Sequence, residues 1–437
     1  MSVFAADEIP ILWKQNLTLK HEYRSYKLDL NKYADQFFIK RKNTQVLTDP
    51  LHQNTFCTND SKESPEEKWE LNIEELKKFL REDVAPKIQS TPTNVTISRD
   101  EKGNIIFDGY ATFGEELDID VSTEMIQKAI LSGIDKVTLF VKKTDPEITV
   151  NDEELRSQGI QNLISVGWSD FSRSPVNRIH NIGVGASKIN GVLVPKGEIF
   201  SFDRFLGNVD ESTGYKKELV IVGPQTIPEY GGGLCQVSTT TCRGAMIAGF
   251  PIVQRKNHSY QVTYYSPVGS DCTIYPPSVD FKFLNDTNGA VLIQTRKEKN
   301  ELFFHYYGTR DARKVAILGP YTKKPVAVPP PKYTTSSNVP PGETEKLSGE
   351  HPGIDATWFR QVTYPPKETS ENTKGDRLIV TMANKISPEL ALKMTQENIF
   401  WQTFFSHYEA RGLWVVTGAE KQPESPAPEV VPDGNWL

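Results

Sequence analysis

The stretch "GGGLCQVSTTTCRGAMIAGFP", residues 231–251, decides how the rest of the chain is read. Its three glycines free the backbone for positive φ angles and let another segment approach closely. From Gln236 the pattern turns helical, and Gly249 and Pro251 stop it, which predicts one helix of about 13 residues. Cys235 therefore stands at a helix N-terminus, where unpaired N–H groups and the helix dipole favour the thiolate, the reactive form of cysteine. Three readings stay open for it: a nucleophile, a metal ligand, or a small buried thiol beneath the turn. Ser238, Thr239, Thr240 and Thr241 are poor helix formers as a run, so packing or a substrate must hold the first turn. Cys242 lies about 10 Å further along the helix and cannot bridge to Cys235, while a Cys242–Cys272 disulfide stays open.

A nucleophile needs a base. His258 begins the alternating run "HSYQVTYY", Asp271 begins "DCTIYPP", and "SPVG" between them reads as a hairpin turn. Two paired strands would bring imidazole and carboxylate together and give the order nucleophile, base, orienting group. Gly233 shapes the turn, and the Gln236 backbone N–H is a candidate oxyanion donor. Asn177, Arg178 and Asn181 share one face of a short predicted helix from Asn177, where they can clamp the site. Arg255, just before His258, is a candidate for a substrate carboxylate, and Ser238 for a further contact in the first turn. A metal site would draw on Cys235, His258 and Cys272, but no CxxC or HxxxH pair completes a tetrahedral set, so no metal is expected. No cofactor motif is read either.

The chain has 437 residues, enough for two to four domains. A formal net charge of -6 with 24% charged residues leaves no basic stripe, which excludes a nucleic-acid partner. No run approaches the roughly 18 apolar residues that a spanning helix needs. The start, "MSVFAADEIP", ends small residues against a polar segment as the tail of a cleaved leader does, without a basic or long apolar region before it. Four cysteines are too few for a disulfide framework and do not by themselves fix a compartment.

Residues 1–63 read as a loosely ordered, strand-bearing segment. Residues 64–150 read as a small α+β domain: a helix opened by Ser64 and Pro65, a hairpin about Lys102-Gly103, a helix capped by Ser122, and a strand in "KVTLFVKKTDPEI". Residues 151–308 hold the glycine-cysteine helix among turn-punctuated strands. Residues 309–385 are rich in Pro, Gly, Ser and Thr and read as a linker or β module, with strands at "ATWFRQVTYP" and "DRLIVTMA". Residues 386–417, "SPELALKMTQENIFWQTFFSHYEARG" within them, read as a helix capped by Ser387 with Pro388 in its first turn, Trp401, Phe404 and Phe405 forming its packing face. A disordered tail is expected over 418–437.

"GLC" opening the helix, "GFP" closing it, then His258 and Asp271, resemble the transglutaminase-like branch of papain-type cysteine enzymes. That resemblance implies a helix against an antiparallel sheet inside a multidomain α+β protein. No aromatic residue directly follows His258, a departure from that pattern. A longer resemblance covers residues 176 to about 308: "NRIHNI", "LVPKGEIFSFD", "GYKKELVIVG", "GGGLCQVSTTTCRGAMIAG", "RKNHS" and "GSDCTIYPPSVDFKFLN" resemble the VanW family, named for an accessory gene of vancomycin-resistance clusters. That family commonly reads "DAT" where this chain has Asp271-Cys272-Thr273, and "PGE" where Lys196 intervenes. Residues 70–150, in "FGEELDID" and "LFVKKTDPEIT", are similar to a peptidoglycan-binding domain that often precedes VanW domains, and residues 325–385 are similar to a small wall module that follows them. The resemblance implies an extracytoplasmic protein whose partner is peptidoglycan or another wall peptide. The reaction expected of Cys235, His258 and Asp271 is acyl transfer or hydrolysis, with non-catalytic wall binding as the alternative.

Overall fold

A computed structural model describes residues 16–42, 67–222, 225–365, 392–396 and 398–419. The chain is a multidomain α+β protein in which strands outweigh helices. Its centre is an antiparallel sheet in the order Asn162–Asp170, Glu301–Gly308, Val291–Glu298, Val192–Val194. The helices Leu234–Ala248 and Val176–Ile189 pack on this sheet and on each other. Helix Leu234–Ala248 is buried on nearly all sides, and two of its hydroxyls bond back to the helix's own carbonyls: Thr240 Oγ1 donates to the Gln236 carbonyl at 2.7 Å and Thr241 Oγ1 to the Val237 carbonyl at 2.8 Å. The poor helix propensity of the run is thus overridden by packing. The close fit needs Gly244, where any Cβ would strike the Tyr306 ring.

Strand Leu17–His21 pairs in parallel with Lys136–Thr138, and Leu17, Leu19, Phe37, Leu76, Leu80, Ile126 and Ile130 share one core. The hairpin Thr93–Arg99 with Ile105–Thr112 packs Val95, Ile97 and Ala111 onto Leu163, Leu292 and Tyr307 of the central sheet. Past the central sheet, a second sheet runs Lys314–Thr322, Ile354–Thr363, Ile399–Tyr408, Leu392–Gln396. Trp358 and Phe404 from it enter the same core as Val237, Ala245 and Met246 of the buried helix.

Several expected elements differ. Ser64 and Pro65 lie outside the described residues, and the helix expected there begins at Ile73, after strand Glu67–Leu71, with Asn72 as its cap. Asp118, not Ser122, caps helix Ile119–Leu131; Ser122 is buried and bonds Phe140. "KVTLFVKKTDPEI" breaks into Lys136–Thr138, Val141–Thr144 and the start of Ile148–Val150. The helix from Asn177 is a full Val176–Ile189.

The helix expected over 386–417 is instead strands Leu392–Gln396, Ile399–Tyr408 and Trp414–Gly418, with Ser387, Pro388 and "DRLIVTMA" outside the described residues. Along Ile399–Tyr408 the even-numbered residues from Phe400 to Tyr408 point inward, and this period of two places Phe404 in the core and Phe405 on the outer face. Finally, "HSYQVTYY" and "DCTIYPP" form no paired strands. Residues 255–273 are irregular apart from short turns at Thr263–Tyr265 and at residues 268–269. Side chains occupy the backbone groups that a ladder would have used: Arg243 donates to the Tyr265 and Ser266 carbonyls, Arg255 to those of Gly269 and Asp271, and Asn257 to those of His258 and His407.

Candidate functional site

The hairpin Lys217–Val222 with Gln225–Tyr230 runs directly into the glycine turn. Gly233 takes φ +114° as the helix N-cap, and a Cβ there would lie 2.9 Å from Arg178 Cγ. Arg178 and Asn181 are buried behind this turn. Asn181 Nδ2 donates to the carbonyls of Lys216 (2.9 Å) and Gly232 (3.0 Å), while its Oδ1 accepts from Lys216 N at 2.8 Å. Arg178 donates to Gln236 Oε1 at 2.9 Å and stacks over Tyr264 at 4.0 Å. Asn177, further out, donates to the Lys217 carbonyl at 3.2 Å.

Cys235, partly exposed, meets Thr273 Oγ1 at 3.3 Å and the Ile274 carbonyl at 3.7 Å, and lies near enough to His258 to feel its charge. The His258 ring is buried and stacks on Tyr265, centroids 4.4 Å apart. Its Nδ1 lies 2.6 Å from Asp271 Oδ2, which also accepts the His258 backbone N–H at 2.8 Å, so Nε2 is left for the cysteine side. The other oxygen, Oδ1, accepts from the Tyr408 hydroxyl and lies 3.7 Å from Arg255. The three candidates therefore come together without the predicted strand pairing.

Their electrostatics are coupled. Burial disfavours the charged imidazole, but the hydrogen bonds from His258 to Asp271 and Cys235 outweigh it and raise the His258 pKa to about 9. Burial would push the Asp271 carboxyl up, yet its hydrogen bond and ion pair with His258, aided by Arg255, hold it well below the usual carboxylate range. Burial likewise opposes the Cys235 thiolate, and the hydrogen bond and positive charge of His258 carry the net shift downward. The arrangement makes a thiolate facing an imidazolium easier to form than it would be for an isolated thiol.

Other candidates sit differently from expectation. The Gln236 backbone N–H is taken by the Gly233 carbonyl at 2.9 Å, and its side chain is buried between Arg178 and the Asp170 carbonyl. The Cys235 N–H, by contrast, has no backbone acceptor among the described residues. Arg255 is buried, and its guanidinium braces Asp271, Gly269 and Ser406, which leaves it no free fork for a substrate. Ser238 is fully buried with no hydrogen-bond partner for Oγ, far from a surface contact. Cys242 and Cys272 form a disulfide that ties the middle of the helix to the segment between Asp271 and Thr273. Thr273, Tyr265, Ser406 and Tyr408 escaped the sequence reading; the hydroxyl after "DC" was the one visible hint. Among the described residues, no helix is long and apolar enough to cross a membrane.

Residues 177–307 match the family model described as "VanW like protein". "Uncharacterized protein YoaR" of Bacillus subtilis is 34% identical over 139 residues, 32% of this chain and 46% of the relative. "Vancomycin B-type resistance protein VanW" of Enterococcus faecalis is 32% identical over 117 residues, 26% of this chain and 42% of the relative. The chain thus spans somewhat less than half the length of the curated relatives it matches. No solved structure matches it. The chain carries a VanW-like domain over residues 177–307, and Cys235, His258 and Asp271 all lie within it.

Proposed function

We propose that the chain is a cell-envelope enzyme in which Cys235 performs acyl transfer or hydrolysis at an amide of peptidoglycan or another wall peptide. The carrying observation is Cys235 in the first turn of a helix, electrostatically coupled to His258, whose Nδ1 lies 2.6 Å from Asp271 Oδ2. The Cys235 thiolate attacks the carbonyl carbon and forms a C–S bond. The Cys235 N–H faces the developing oxyanion, and His258 gives its proton to the leaving amine as the C–N bond breaks. Water or an acceptor amine then attacks the thioester, its proton passes to His258, and the thiolate is released. Asp271 stays ionised and keeps the imidazole oriented. The transglutaminase-like reading is mechanistic here: helix, base and carboxylate follow that order, though base and carboxylate sit on irregular backbone.

An extracytoplasmic setting is supported by the Cys242–Cys272 disulfide, which persists in oxidising compartments, and by the resistance named in one relative. In this reading the small α+β region over residues 64–150 holds the wall. A second reading, wall binding without catalysis, draws on the two protein contacts of Cys235 Sγ with Thr273 and Ile274, which brace the turn as they stand. Incubating wild type and Cys235→Ala with defined muropeptides separates the two. Mass changes produced by wild type alone support the enzyme; identical spectra from both proteins contradict it.

A further inference from the structure

The carboxylate of Asp271 has two oxygens with different partners. Oδ2 faces His258, through both the ring Nδ1 (2.6 Å) and the backbone N–H (2.8 Å). Oδ1 faces away from the imidazole and receives the Tyr408 hydroxyl proton, while that hydroxyl oxygen accepts the Gly269 N–H at 2.9 Å. Tyr408 is 2% exposed and closes strand Ile399–Tyr408, outside the 177–307 match. Two residues earlier on the same inward face, Ser406 Oγ accepts from Arg255 at 2.9 Å, and Arg255 in turn holds the Asp271 and Gly269 carbonyls.

The same sheet registers the rest of the loop. Trp358 Nε1 donates to the Val268 carbonyl at 2.9 Å, Glu409 N to the Ser259 carbonyl at 2.8 Å, and Asn257 Nδ2 to the His407 carbonyl at 2.7 Å. An irregular loop has no ladder to fix its side chains, so a carboxylate on it needs donors on both oxygens to keep one orientation. Oδ1 has the Tyr408 hydroxyl as its hydrogen-bond donor, with the Arg255 guanidinium 3.7 Å away.

We propose that Tyr408 is a positioning residue for the Cys235–His258 pair, acting through Asp271, and that the sheet carrying it is a working part of the site. The functional unit is then larger than the VanW-like match. This rests on the cysteine-enzyme reading above.

The test uses the full chain. Tyr408→Phe keeps the buried ring and removes the hydroxyl; Cys235 alkylation by iodoacetamide near neutral pH, the downfield imidazole N–H resonance of His258 and thermal melting are then compared with wild type. The expected result is an alkylation rate lowered about tenfold, from loss of one hydrogen bond to a charged group, with the imidazole resonance lost to exchange and the fold retained. Phe405→Ala, on the outer face of the same strand, should leave both signals unchanged. A wild-type rate and resonance in Tyr408→Phe overturn the proposal. If that variant does not fold, Ser406→Ala, which removes one acceptor of Arg255, should lower the rate about twofold to threefold, and an unchanged rate there overturns it equally. Failure of the underlying reading shows separately, as a wild-type protein with an ordinary thiol and no downfield imidazole signal.

Discussion

Two segments build the candidate site in opposite ways. Residues 231–248 are a turn and a helix of regular backbone, held by packing on nearly all sides: Gly233 at φ +114° caps it, Gly249 at φ +79° ends it, and Cys235 sits in its first turn. Residues 255–273 have almost no regular structure, and His258 and Asp271 are aimed by side chains that reach in from Arg243, Arg255 and the strand Ile399–Tyr408. The nucleophile side thus rests on regular helical backbone, the base side on side chains, some from residues 137 to 151 positions away. Damage to the first should stay local, whereas the second should respond to changes far from it in sequence.

The largest effect is expected where the two segments meet. His258→Ala should lower turnover by about 10²–10⁴-fold, the usual worth of a positioned base, with Cys235 still present and titrating as an ordinary thiol. Muropeptide turnover measured by mass spectrometry checks this, and a variant retaining wild-type turnover would break the pairing. Next comes the covalent tie between the segments. Replacing both Cys242 and Cys272 by alanine releases a loop with a sequence separation of 30 and should cost about 3–4 kcal/mol in urea unfolding. It should also slow Cys235 alkylation, because Asp271 and Thr273 flank the lost bridge.

A smaller and more local effect is expected for Gly233→Ala, which forces an L residue to positive φ against Arg178 and should cost about 1–3 kcal/mol. Circular dichroism melts read this cost, while the His258–Asp271 imidazole resonance should survive. The smallest is Thr273→Val, which removes one hydroxyl 3.3 Å from the sulfur and should slow alkylation about threefold.

The pH dependence of stability sharpens the same contrast. His258 has a raised pKa in the folded chain, about 9, so its contribution is complete below about pH 6.5 and disappears as pH rises through 9. Asp271 has a lowered one, so its contribution is present above about pH 3.9 and is lost as the solution is acidified below that. The difference in melting temperature between wild type and Asp271→Asn should therefore shrink at acid pH, and a difference that stays constant would show that the carboxylate charge is not what matters.

Legibility in the sequence follows the same division. The helix and its two glycine ends are readable because each rests on neighbours a few residues apart, and the order Cys235, His258, Asp271 is readable from residue type and chain order. The pairing of His258 with Asp271 was anticipated for a wrong structural reason: alternating residues suggested strands, but Arg243, Arg255 and Asn257 take the carbonyls such strands would share. Arg255 itself looked free for a ligand, since nothing in "QRKNHS" shows that Ser406 and Asp271 will surround it. Tyr408 was missed because the aromatic run "IFWQTFF" satisfies a helical spacing nearly as well as the period of two it adopts. Contacts between residues 137 positions apart leave no local pattern to read.

The central claim is that Cys235 is held as a thiolate by the His258–Asp271 pair. Its most direct test is the rate of Cys235 alkylation by iodoacetamide across pH, followed by mass spectrometry on the full chain with the Cys242–Cys272 disulfide intact. The account predicts a rate that rises at lower pH than that of an ordinary thiol, and loss of that downward shift in His258→Ala. A wild-type rate that rises only through about pH 8.5, as for an unperturbed thiol, would contradict it.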